Sequence, residues 1–337
     1  MLILEESKNK AVLRGSELLQ EMSDPILGVI FALIASTSWA VGAVFARAGM
    51  RQVGSLLGTL ISLMAGFTVI SAIALIIDFD AVFSLSSTTL LWLVLLGFIQ
   101  FPVGRFLLYS GIRLAGVGPA STAGGSAPLF AAVIAIVFLG EQMTYPIAVG
   151  TVSVVGGLAL VMSSAHAQSL STTPSGPSSD AAETPQPHRS GGSLTTGILC
   201  ALAGATAYGT AHNIARYMVT EAVSAPVAAS YTLFSGMVIL AAISLPRLGK
   251  LVETPRAAVL TMATSGVMSS LAILFMYTAL SKAPVTLASP LVALNPLIAM
   301  VLAHFFLQRL ERITTGMIIG ALMVAIGVTF VIVGRPV

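Results

Sequence analysis

Residues 165–193 read AHAQSLSTTPSGPSSDAAETPQPHRSGGS, and this stretch decides how the rest of the chain is organised. It is rich in Ser, Thr, Pro and Gly, with Asp180, Glu183, His188 and Arg189 among them. Such a composition buries too little apolar area to offset chain entropy, so a flexible soluble linker is expected here. On both sides the character inverts. Of the 337 residues, 56% are hydrophobic and only 9% are charged, whereas a soluble domain carries roughly 25% charged residues. A chain so poor in charge cannot cover a globule with polar surface, and lipid must be its solvent.

Moving outward from the linker toward the N-terminus, apolar runs occupy 144–164, 117–139, 89–112, 54–77 and 26–46. Toward the C-terminus they occupy 194–217, 225–245, 257–280, 285–307 and 314–334. Each matches the roughly 20 residues that a helix needs to span a bilayer. The breaks between them are short, as in Gly140-Glu141-Gln142, or bear Pro and Gly, as in Pro246-Arg247-Leu248-Gly249-Lys250. The runs are too long, and alternate too little, for lipid-facing barrel strands. The expected fold is all-α and integral to the membrane: about ten transmembrane helices in two bundles, 26–164 and 194–334, joined by the linker 165–193. Residues 1–25 form a polar N-terminal tail without the apolar core of a signal peptide. Leu13, Leu18, Leu19 and Met22 give it a weak amphipathic pattern. A disordered tail, or a natural start at Met22, are the other readings.

Several function classes drop out. The net charge of +3 comes without a basic block, so nucleic acid is not an expected partner. The single Cys200 excludes a disulfide framework and a CxxC metal site. No Walker loop is present, so the chain does not itself hydrolyse ATP. No cofactor is indicated, and the expected partners are a small-molecule substrate and the lipid bilayer.

The two bundles repeat each other. An offset of 169 places Gly28 on Gly197, Trp39 on Tyr208 and Ala46-Arg47 on Ala215-Arg216. An offset of 168 places Tyr109 on Tyr277, Ala120-Ser121 on Ala288-Ser289, Pro128-Leu129 on Pro296-Leu297 and Phe138-Leu139 on Phe306-Leu307. After a two-residue slip, Glu141 falls on Glu311, Thr144 on Thr314, Gly150 on Gly320 and Gly157 on Gly327. Five is odd, so the copies enter the membrane with opposite orientation. Inverted repeats of this kind build alternating-access carriers.

These features together resemble the EamA group of the drug/metabolite transporter superfamily. The resemblance spans residues 26–334. It rests on the five-plus-five arrangement, Trp39 with Arg47, Tyr109 and Tyr277, Pro128 and Pro296, the stretch Phe138-Leu139-Gly140-Glu141, and its counterpart Glu311-Arg312-Ile313-Thr314. It implies a multi-pass protein of the cell membrane with cytoplasmic termini, carrying metabolites, amino acids or drugs, often as efflux, through a central cavity.

Ionisable groups at membrane depth are expensive and face cavities. Arg105 lies between Pro102 and Tyr109 with no carboxylate within a helical turn. It binds an anion, or it snorkels and bonds carbonyls freed by Pro102. Tyr109 shares its face. His212 could relay a proton near neutral pH or simply pack, and His304 is the second candidate for that role. The expected substrate cavity is lined by Trp39, Arg105, Tyr109, Tyr208, Asn213, Tyr277 and Asn295, with His212 beside them. Glu141 and Glu311 end their helices and read as wet interfacial groups, and no Asp or Glu lies deep in any run.

A membrane-embedded enzyme, or a non-transport membrane protein, is the alternative. No HExxH and no intramembrane Asp pair occur, while a Ser–His dyad on His212 or His304 stays open. Charge bias opposes the orientation that the resemblance implies. Lys8, Lys10, Arg14, Arg216, Lys282 and Arg335 share the side of the termini, against nine Lys/Arg on the other side.

Overall fold

A computed structural model describes residues 2–50, 52–53, 55–115, 117–171, 191–245, 254–306 and 315–334. These residues form helices and no strand. The first half comprises α1 (Leu2–Gly49), α2 (Ser55–Ile77), the short α3 (Phe79–Phe83), α4 (Ser87–Phe98), α5 (Gly104–Ala115), α6 (Val117–Gly124), α7 (Ala127–Leu139) and α8 (Tyr145–Ser171). The second comprises α9 (Gly191–Glu221), α10 (Ala225–Ser244), α11 (Arg256–Lys282), α12 (Val285–Val292), α13 (Asn295–Phe306) and α14 (Thr315–Val333). A π-helical turn, Ile99–Val103, joins α4 to α5.

Among the described residues, nine stretches are long and apolar enough to cross a membrane. The tenth crossing is the pair α12 and α13. Apolar side chains cover the outside, with Ile76 84%, Phe138 78% and Leu260 70% exposed. Such exposure suits lipid, which takes apolar side chains all round a helix. The polar tail is helical: residues 2–24 continue the helix of the first span through Pro25. Likewise α8 and α9 run into both ends of the polar segment between the halves. The rest of that segment, 172–190, lies outside the described residues.

The halves are two inverted five-helix repeats, and they interlock through repeat-related contacts. The first long helix of each half packs on the third crossing of the other, α1 on α11 and α9 on α5. Gly28 meets Ala283 in the first pair, and Gly197 meets Ala115 in the second. Their sequence counterparts are thus structural counterparts. The last helices, α8 and α14, also cross each other on glycine. A Cβ on Gly157 would lie 2.6 Å from the carbonyl oxygen of Gly320, and a Cβ on Gly320 would lie 2.6 Å from that of Gly157. In lipid no hydrophobic force drives helices together, so close backbone approach at small residues supplies the packing.

Candidate functional site

Two crossings are broken, and at matching places. α6 gives way to α7 at Gly125–Ser126, and α12 gives way to α13 at Ala293–Leu294, again offset by 168. The sequence runs 117–139 and 285–307 read as uninterrupted; the structure corrects this. Pro128 and Pro296 are the physical cause. Proline has no N–H to give the previous turn, and it disfavours α geometry at the residue before it. It fits the first turn of a new helix, where both prolines sit.

Between the halves, around these breaks, lies a cavity of about 510 Å³. Gly124, Gly125, Ala127 and Pro128 line it from one break, and Ala293, Asn295 and Pro296 from the other. The lining continues along α1 from Trp39 to Met50, which is exposed where α1 ends. The cavity therefore runs from mid-membrane toward the face that carries the α1–α2 connection and the polar segment.

Trp39, Arg105, Tyr208, His212 and Asn295 are brought together on its wall. The π-helical turn sets Arg105. With Pro102 inside it, one extra residue enters the turn, which rotates the following helix relative to α4. Arg105 opens α5 and, one turn from Phe101, shares its face; the guanidinium lies 5.5 Å from the centre of the Phe101 ring. Arg105 makes no ion pair with a described carboxylate. The Tyr208 ring has room because residue 104 is glycine: a Cβ there would lie 3.1 Å from Cζ. His212 Nδ1 lies 3.2 Å from Ser289 Oγ, tying α9 to α12, and Ser289 is only 1% exposed.

Asn213 and Tyr277 do not line the cavity, contrary to expectation. Asn213, about 100° around α9 from His212, faces α7 instead. Its Nδ2 donates to the carbonyls of Ala131 and Gly209, both at 2.9 Å, which fastens α9 to α7. Its Oδ1 is buried without a partner. Tyr277 is one layer behind the wall, fully buried, and its hydroxyl donates to Gln100 Oε1 at 3.0 Å. The side chains of Tyr109 and His304 lie outside the described residues, as does Glu311. Sequence reasoning missed Gln100, Phe101 and the hydroxyls of Ser62, Ser265 and Ser269, all on the wall. The only signal for Gln100 was a polar residue inside the third run.

At the opposite face, polar contacts bridge the two halves. Glu141 is not a solvated helix end. Its two carboxylate oxygens accept from Val285 N at 2.7 Å and Thr286 N at 3.0 Å, capping α12 across the interface between the halves. Gly140, left-handed at φ 67°, ends α7 and turns Glu141 toward α12. In the same layer Arg216 donates to the carbonyl of Leu280 and lies within electrostatic reach of Glu141. Lys282 pairs with Asp24 at 3.1 Å.

This architecture recurs in known proteins. A solved structure described only as the crystal structure of a protein aligns with a TM-score of 0.67. It is 16% identical, with 90% of this chain and 95% of that chain covered, so the likeness is one of fold. No curated protein matches the chain in sequence. The model of the EamA-like transporter family matches twice, over residues 26–163 and 195–333. With both halves matched, the chain belongs to the EamA-like transporter family.

Proposed function

We propose that the chain is a secondary carrier of the cell membrane, moving a small metabolite or drug by alternating access around the cavity between its halves. One observation carries the reading. The cavity sits where both repeats break a helix at corresponding positions, the place where inverted-repeat carriers hold substrate. Access from one face only supports the same view. Trp39 to Met50 lead outward on one side, while the Glu141 cap, the Arg216 bond and the Lys282–Asp24 pair close the other. The Ser289 hydroxyl lies 3.2 Å from His212 Nδ1 and ties α12 to α9, which supports a structural contact between helices. The polar segment 165–193 then acts as a tether between the halves.

The test uses Ser269→Cys, a half-buried wall position, in a Cys200→Ser background. With this variant reconstituted in vesicles, the introduced thiol should react with a membrane-impermeant thiol reagent from the face that carries the polar segment. A transported solute should raise labelling from the opposite face. Labelling from one face under every condition, with no solute accumulating in the vesicles, would refute the carrier.

A further inference from the structure

Among the described residues, the cavity wall carries one permanent charge and nothing to balance it. Arg105 is that charge, and no Asp, Glu or Lys is among the described lining residues. None of the described carboxylates lines the cavity; among them Asp24 is paired with Lys282, and Glu141 is bound to the α12 backbone. A cation in a site drawn from the membrane interior calls for an anion, since an uncompensated charge there is costly. Two oriented helix ends act in the same sense. α7 and α13 both begin on the wall, at Ala127-Pro128 and Asn295-Pro296, and helix N-termini carry partial positive charge.

The charge count also separates anions from zwitterions. One negative group on the ligand matches the one formal charge of the described wall. An amino acid would bring an ammonium as well, restoring a net positive charge, and the described wall holds no carboxylate to receive it. Beyond Arg105, the wall offers a broad apolar surface from Trp39, Phe101, Leu108, Met162 and Met262. Serine hydroxyls and Gln100 add neutral hydrogen-bonding groups. A planar guanidinium holds a carboxylate through two parallel bonds.

Resting on the carrier reading, we infer that the substrate class is a small organic monoanion, a single carboxylate on an apolar or aromatic body, with its carboxylate on Arg105. A matched series tests this: 3-phenylpropionate, phenylalanine and phenethylamine share one skeleton and differ in charge. Binding to the full chain in nanodiscs is read by titration calorimetry, and uptake is read in proteoliposomes. The anion should bind about tenfold or more tighter than the zwitterion, the margin expected when an ammonium is left without a counter-charge on the wall. Arg105→Gln should erase the preference to within about twofold, and Arg105→Lys should retain part of it. A wild-type protein that binds the three alike, prefers the amine or amino acid, or does not bind the anion overturns the proposal. So does a preference that survives Arg105→Gln. The two readings fail separately. Arg105-dependent binding without uptake would sink transport and leave the anion site standing. Uptake of the zwitterion or amine, indifferent to Arg105, would sink the anion site and leave transport standing.

Discussion

Glu141→Gln should tip the protein away from the conformation described here. The carboxylate holds two successive backbone N–H groups of α12, at 2.7 and 3.0 Å, and both are donors that the helix itself cannot satisfy. Hydrogen bonds to a charged group contribute roughly 1.5–3 kcal/mol each. Glutamine is nearly isosteric but has one neutral acceptor, so it forfeits one bond and the charge on the other. The loss is about 2 kcal/mol, or roughly 30-fold in an equilibrium constant. The contact joins the end of α7 to the start of α12, so it exists only while this face is closed. A closed-face preference of about tenfold would therefore become a minority state. The assay is thiol labelling of Ser269→Cys in the Cys200→Ser background. Labelling from the face bearing the polar segment should slow, and labelling from the other face should rise. Glu141→Ala should act in the same direction and more strongly. If both variants label as the parent does from each face, with unchanged thermal stability, the cap does not hold the closed face and the reasoning fails.

Two further outcomes follow from the packing and the wall. Gly157→Ala places a Cβ 2.6 Å from the Gly320 carbonyl oxygen and 2.8 Å from Val324 Cγ2. Overpacking of that kind costs about 1–3 kcal/mol, so the melting temperature in detergent should fall; an unchanged melt would show that α8 and α14 part without penalty. His212→Gln keeps a hydrogen bond to Ser289 while removing an imidazole that can take up a proton. Transport by this variant should lose its pH dependence, and a preserved profile would pass the proton-carrying role to His304.

Depth in the membrane was legible in the sequence; direction around each helix was not. The apolar runs located the spans, and the repeat offset matched positions at equal levels, because the number of residues from a helix end fixes depth directly. Asn213 and Tyr277 stand at the right level but face neighbours, since rotation about the axis is set by which helix packs where. Asn213 follows His212 by one position, about 100° around the helix, and that step takes it from the wall to the α7 backbone. Arg105 was found as a charge in an apolar run. Its companion Gln100 escaped because one uncharged polar residue in such a run is ordinary. The helix breaks left a signal in Gly124-Gly125-Ser126 and in Asn295-Pro296, but the apolar character runs straight across both. Hydropathy reports solvent, not backbone continuity.

Glu141 shows the same limit from the other side. Read alone, a carboxylate at a helix end is a wet interfacial group. Its partners lie 144 and 145 positions away, in the other half, where no local pattern could point to them. The folded chain thus keeps Glu141 and Asp24 apart from Arg105. Glu141, Asp24 and their basic neighbours gather at one face, where they bind backbone and each other across the two halves. Arg105 is left without a described acid, on the wall of a cavity reached from the other face. If Glu141 instead balanced Arg105, the cavity would be electrically satisfied when empty and would have no need of a charged ligand. The separation leaves the site positive while its floor is locked. Arg105→Gln and Glu141→Gln should accordingly act on different observables. The first should change which ligands bind, without altering which face labels. The second should change which face labels, without altering the order of ligand preference. A variant at either position that moved both readouts together would show that the two layers are one.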